Sequence, residues 1–444
     1  MLLEFRVSNY KSFKDEMIFS MEPAPKQKGL DYSLLKERIG TTTYTGLCSA
    51  VIYGPNAAGK TNIIGAMDTF KSIVLRGNIR NSNENHSPNT AAISLEFIPN
   101  SSVTTPRPVD FSVKFTTDGM LVEYSFSADI GVFLSEKYPR RIVSETLSIN
   151  KSLVFSRTDC IAFGDLNKLS AFFSPSFFSN SNTAIELANE NLDTQELFLC
   201  NGFRTTFSPK LVSIIQGWLK DRFVVVYRAN SIQLNPDFTG EEKDSVYIEN
   251  TLNSAASSFG ANSNDLGFIV KDNNKKQLCS VFRMEEGNIA IPANIYESYG
   301  TIRFINLFPL IVDAILYGGT LIVDEFDASI HPMALMNIIN IFHNDSINIH
   351  HAQLVFNTHN PIFLNSNLYR RDEIKFVDRD DDTHFSELYS LSDFGTDGKS
   401  SARKNSAYMK NYFVDRYGAI KDVDFSPIFK ALVNKAPKEE EQNA

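Results

Sequence analysis

At 444 residues, 43% hydrophobic and 21% charged, the chain has the composition of a globular protein. It has room for two or three domains, or for one core with large insertions. A formal net charge of −9 excludes attraction of nucleic acid by the overall field, so any nucleic acid would have to meet a local basic patch.

The opening Met1-Leu-Leu-Glu-Phe-Arg-Val-Ser-Asn-Tyr-Lys-Ser-Phe13 reads as a strand followed by a polar turn. Apolar Ala50-Val-Ile-Tyr53 reads as a buried strand, and Asn62 to Phe70 as a helix with Ile63, Met67 and Phe70 on one face. Between them Gly54, Pro55, Asn56, Ala57, Ala58, Gly59, Lys60 and Thr61 fit the pattern G-x-x-x-x-G-K-[ST]. Glycines let the backbone curl around a phosphate chain, and the amides and helix N-terminus aim positive charge at it. Lys60 is then expected to reach the β- and γ-phosphates, and Thr61 to hold Mg²⁺. The strand–loop–helix setting predicts a protein that binds nucleoside triphosphate.

Residues 77–90, rich in Asn, Ser and Gly, read as an exposed loop. Period-two alternation follows at Ile93, Leu95 and Phe97, at Val109 to Phe115, and at Val122 to Phe126, predicting an antiparallel meander. From 160 to 260 the pattern is less regular, with helices expected near Ala184–Leu199 and Pro209–Asp221 and no sustained heptads. Tyr296-Glu-Ser-Tyr-Gly-Thr-Ile-Arg303 leads into an apolar helix from Phe304 to Tyr317, so Ser298 and Gly300 offer a hydroxyl and an amide at a helix start.

Gly318 to Pro332 holds a short apolar strand ending in Asp324-Glu325. A carboxylate there can face the phosphate loop and hold Mg²⁺, and the next can deprotonate an attacking water. Pro332 suits the first turn of a helix through Met336, Ile339 and Phe342. Gln353 to Asn357 is another buried strand, and His359 after it is expected to sense a γ-phosphate. Asp378 to Asp382 reads as a turn between two strands, the alternative being part of a metal-dependent nuclease. Arg370, Arg371, Lys375, Lys399, Arg403, Lys404 and Lys410 read as surface, the alternative being contact with nucleic acid or a partner. The last residues, 435–444, read as a charged, frayed end.

No uninterrupted apolar run approaches about 18 residues and the first residues enter a strand at once, which predicts no membrane span, no leader and a cytoplasmic location. Cys48, Cys160, Cys200 and Cys279 have neither metal-ligand spacing nor a compact disulfide pattern, and are expected to be buried thiols in a reducing compartment.

Together these motifs resemble the ABC-class ATPases of the SMC/Rad50/RecF/OLD branch, and within it the short AAA15-type proteins. That group includes RloA- and AbiL-like proteins and the ATPase of PARIS-type anti-phage systems. The opening strand and turn, Val143-Ser-Glu-Thr-Leu147, Leu153-Val-Phe-Ser-Arg157 and Arg416-Tyr-Gly-Ala-Ile420 also match the group.

The resemblance implies an α/β ABC-type ATPase head with a mixed P-loop sheet, an inserted antiparallel β-subdomain and a helical lobe. The implied divisions are a first core part at 1–90, the β-subdomain at 91–158, a helical or irregular lobe at 159–290, a second core part at 291–425 and a tail at 426–444. It implies ATP and Mg²⁺ as cofactors, Thr61 and Asp324 at the metal, and Glu325, His359 and Lys60 as the catalytic set. Residues 54–62, including Asn62, together with Lys11 and Ser12, would line the nucleotide, and Ser298 and Gly300 would contact ATP bound to a second head.

The partners implied are a second copy in a head-to-head dimer or larger homo-oligomer, a protein effector encoded nearby, and DNA. The implied role is an ATP-driven switch in anti-phage defence. A RecF/Rad50-like ATPase of DNA repair shares every motif. Two departures stand out: no glutamine lies between Gln27 and Gln195 to serve the loop joining core and lobe, and Tyr299 replaces the first glycine of the usual Ser-Gly-Gly.

Overall fold

Alternation along the phosphate-loop strand decides the layering. Ser49–Tyr53 is buried throughout, with Ala50 and Ile52 in one core and Val51 and Tyr53 in another. The next two strands to one side divide the same way. Ile322 and Val355 join the first core, and Leu321, Val323, Leu354 and Phe356 join the second. A strand covered on both faces belongs in a parallel sheet between helical or sheet layers.

This computed structural model describes residues 1–25, 27, 29–80, 96–135, 138–173, 181–227, 246–261, 263–270, 276–395, 407–421 and 423–435. The central sheet has the order Phe223–Val226, Thr320–Val323, Gln353–Asn357, Ser49–Tyr53, Ile374–Arg379, Ser386–Ser390. Every pairing is parallel except the last, a hairpin. Three chain segments therefore leave the sheet at the same edge, just after Tyr53, Val323 and Asn357. That edge is where ligands meet an open parallel sheet.

The helix Lys60–Arg76 fills the first core, between the central sheet and a seven-stranded antiparallel sheet. That second sheet runs Ile161–Phe163, Ser152–Arg157, Arg141–Ile149, Met120–Asp129, Val109–Thr117, Leu2–Ser8, Met17–Ser20. Phe70 stacks on Phe126 at 5.8 Å and meets Phe5 edge-on at 5.8 Å, so the helix is wedged by aromatic side chains. Buried Gln353 ties the two sheets: its Oε1 accepts from Leu2 N at 2.6 Å, and its Nε2 donates to Leu2 O at 3.0 Å and Leu47 O at 2.8 Å. The second core is covered by the helices Tyr299–Tyr317 and Pro332–Phe342. Phe259, closing the helix Asn250–Phe259, stacks on Phe304 at 4.2 Å.

Several expectations need correction. The meander continues onto the N-terminal strand, with Phe5 opposite Val113. Phe97 lies outside any strand, buried beside Phe111 at 5.9 Å, while Ile93 and Leu95 fall outside the described residues, as do 81–90 of the expected loop. The stretch expected to be helical or irregular does hold the helices Ser181–Glu190 and Pro209–Gly217. It also holds most of a four-stranded antiparallel sheet, Val246–Tyr247, Asp265–Val270, Lys276–Met284 and Gly287–Pro292. Asn- and Ser-rich breaks hide its alternation. The hairpin Leu34–Ile39 with Thr42–Leu47 was likewise not foreseen.

Arg370 and Lys375 are buried, not surface groups. Arg370 forks onto Asp372, with Nε to Oδ1 at 3.0 Å and Nη2 to Oδ2 at 2.9 Å. Lys399, Arg403 and Lys404 lie outside the described residues. Cys48, Cys200 and Cys279 are buried, but Cys160 is exposed. Among the described residues one helix, Tyr299–Tyr317, is long and apolar enough to cross a membrane by length and composition. Here half of it is buried, including Arg303.

Candidate nucleotide site

The loop after Tyr53 is shaped by close backbone approach. A Cβ on Gly54 would lie 2.3 Å from Val377 O, and one on Gly59 would lie 2.6 Å from Ser386 Oγ and 2.9 Å from Ser12 Oγ. Gly59 also has φ +112°, and Ala57 has φ 63°, conformations that curl the loop before the helix begins at Lys60. Lys60 folds back over this loop, its Nζ donating to Gly54 O at 2.7 Å and Pro55 O at 2.9 Å. Burial lowers its pKa to about 8, against the pull of Asp324, Glu325 and Asp327.

Facing the loop is a polar chain assembled from the other two strand ends. Buried Asp324 accepts at Oδ1 from Thr61 Oγ1 at 3.1 Å and from Asn357 Nδ2 at 2.6 Å. The same Asn357 side chain accepts the Glu325 backbone amide through its Oδ1. Glu325 has φ 50°, a left-handed conformation that a non-glycine residue adopts only when its surroundings hold it there. Its carbonyl accepts from Arg303 Nη2, which also donates to Asp324 O at 3.4 Å. Next along, Thr358 Oγ1 donates to Asp327 Oδ2 at 2.7 Å. The His359 imidazole has its pKa lowered, first by partial burial and then by the Lys60 charge.

Between these walls lies a cleft of about 340 Å³, floored by residues 56–62 and faced by Glu325, Asn357 and His359. The structure thus brings together Asn56, Ala57, Ala58, Gly59, Lys60, Thr61, Asn62, Asp324, Glu325 and His359, with Gly54 and Pro55 beneath Lys60. Ser12 sits against the loop, its Oγ accepting from Asn62 Nδ2 at 2.7 Å. Lys11 instead pairs with Glu96 and lies 5.6 Å from the Tyr227 ring centre.

Ser298 and Gly300 do not line this cleft. Exposed Ser298 caps the helix Tyr299–Tyr317, accepting from Thr301 N at 3.1 Å, and a Cβ on Gly300 would lie 2.1 Å from Ser329 O. Asn357 and Arg303 are the site residues that sequence reasoning passed over. Their signals were a polar side chain ending an apolar strand and one arginine inside an apolar helix.

The oxygen donors of Thr61 and Asp324 have the chemistry of a hard divalent cation site, and the glycine-lined loop has that of a phosphate cradle. Fold and cleft define a P-loop nucleotide-binding protein built on a mostly parallel central sheet. The chain belongs to the family described as "AAA domain, putative AbiEii toxin, Type IV TA system", whose model matches residues 49–365. Among solved structures it is similar to an SMC head bound to the C-terminal winged-helix domain of ScpA, at 10% identity over 88% of this chain and 97% of that one. The TM-score is 0.38, a likeness too loose to bear on function. A search of curated proteins finds no match.

The acidic run at 378–382 closes the hairpin of the central sheet. Asp380 accepts from Thr383 N at 2.6 Å, Thr383 Oγ1 at 2.7 Å and Asp382 N at 3.1 Å, while Asp381 pairs with Lys421 at 2.5 Å.

Proposed function

We propose that the chain is a Mg²⁺-dependent ATPase, converting ATP and water to ADP and phosphate, whose working sites form between two copies. The observation that carries this is the division of motifs. Lys60, Thr61, Asp324, Glu325 and His359 meet at one cleft, while exposed Ser298 and, two residues on, buried Gly300 lie outside it at a helix start. A second copy can supply that hydroxyl and amide to the γ-phosphate.

In this reading the loop amides and Lys60 hold the β- and γ-phosphates, and Thr61 and Asp324 hold Mg²⁺, which supplies neutralisation of developing charge. Glu325, exposed at the cleft wall, accepts the proton of the attacking water. His359, its pKa held below the usual value by burial and the Lys60 charge, donates a hydrogen bond toward the γ-phosphate. Asn357 sets the separation of the two carboxylate-bearing residues.

The biological role we propose is a cytoplasmic ATP-state switch in anti-phage defence that holds or releases a protein effector. The family's toxin–antitoxin description supports a system of paired components. The rival is a RecF/Rad50-like repair ATPase with DNA as partner. Affinity purification of the native protein and of its Glu325→Gln form, with identification of what co-purifies, tests the choice. A neighbouring protein retained by the variant supports the switch. DNA alone, with salt-sensitive DNA-stimulated ATPase, supports repair.

A further inference from the structure

The C-terminal segment is built to be covered. The helix Ser426–Lys435 and the residues leading to it carry Val423, Phe425, Ile428, Phe429, Leu432 and Val433, each at least 57% exposed. Positions 425, 428, 429, 432 and 433 follow the i, i+3, i+4, i+7, i+8 spacing of one helix face. A helix this short is marginal in water by itself, so a face with no covering partner among the described residues does not account for its own folding.

We infer that this helix is an association arm that pairs with the same helix of a second copy of the chain. Three observations select a second copy. Between Val423 and Val433 the only charges are Asp424 and Lys430, of opposite sign, so a second copy meets no net repulsion. Each exposed side chain of the stripe contributes on the order of 100 Å², given that an aromatic side chain buries ~150–250 Å². Two stripes together then reach the ~1,000 Å² at which specific interfaces begin.

Finally, Ile420 and Lys421 border a cleft with Pro55 to Ala58, so the arm leaves the molecule beside the phosphate loop. That is the side on which the proposed function needs a second copy. The arm deepens that reading by supplying an association that does not depend on nucleotide.

The test is sedimentation velocity of the full chain without nucleotide, beside the double variant Phe429→Asp, Leu432→Asp. The wild type is expected as a dimer or a multiple of it, and the variant as a species of half that mass with the melting midpoint of wild type diluted until it is monomeric. A nucleotide-free wild-type monomer, or a variant that associates as the wild type does, overturns the proposal. So does a variant that melts several degrees below wild type diluted until it is monomeric, because the stripe would then be covered by its own chain.

The ATP sandwich is read separately, by adding ATP to the same variant carrying Glu325→Gln. Pairing restored by ATP shows the two associations to be independent, as the arm requires. ATP failing to restore it, with the nucleotide-free wild-type dimer intact, overturns the shared-site reading and leaves the arm standing.

Discussion

Asn357→Ala tests whether one amide holds the two carboxylate residues in their working relation. Asn357 is 1% exposed and makes two bonds, one to the Asp324 carboxylate at 2.6 Å and one from the Glu325 amide. A hydrogen bond to a charged group contributes roughly 1.5–3 kcal/mol and a neutral one about 1 kcal/mol, so the loss is about 3 kcal/mol. The left-handed Glu325 backbone, which costs about 1 kcal/mol or more to hold, then loses its amide anchor. If about 2 kcal/mol of the total appears in the hydrolysis barrier, turnover falls roughly 30-fold. Nucleotide affinity should stay within a few-fold, because Lys60 and the loop amides are untouched.

The assays are steady-state phosphate release, fluorescent-nucleotide binding and thermal melting, with Asn357→Asp beside Asn357→Ala. The Asp variant keeps the shape but sets a carboxylate against Asp324, so it should lose at least as much turnover. Wild-type turnover and melting in Asn357→Ala would refute the bridging role.

Glu325→Gln should retain ATP binding and lose at least ~100-fold in turnover, the scale for removing a general base; Lys60→Ala should weaken binding itself, and a titration of each by fluorescent nucleotide separates the two. Ser298→Arg should abolish phosphate release while leaving ATP binding to a single head, and its mixture with Lys60→Ala should regain at most one working site per pair; full activity in Ser298→Arg would reduce that serine to a helix cap. Lys60 has a pKa of about 8, which phosphates must raise on binding, so affinity should be full below pH 8 and fall with rising pH above it, up to about tenfold per unit; a flat profile from pH 7 to 9 by calorimetry would contradict this. Purified chain with ATP and Mg²⁺ or Mn²⁺ should cleave neither DNA nor RNA, since Asp380 is spent on the hairpin turn; cleavage abolished by Asp380→Ala with Asp382→Ala would reverse that reading.

Local chemistry was legible from the chain alone. Gly54 to Thr61, the Asp324-Glu325 pair, the buried strand before His359 and the helix started by Pro332 are short-range patterns. Their spacing favours a strand, a loop or a helix locally, and the expected strand, loop and helix stand at those positions. What needed the tertiary structure was every relation between strand ends far apart in sequence. Asn357 bridging Asp324 and Glu325, Arg303 reaching the Glu325 carbonyl, and Gln353 clamping Leu2 depend on which strands are neighbours in the sheet, and no local pattern encodes that order. The same holds for burial of charge. Arg370 and Lys375 read as surface residues because sequence exposes their charge but hides what covers them, and only the folded chain brings Gly29 O within 2.7 Å of the Arg370 guanidinium. The C-terminal stripe is the converse case: 426–444 reads as a tail, the structure makes Ser426–Lys435 a helix, and the packing of the described residues leaves its apolar face uncovered.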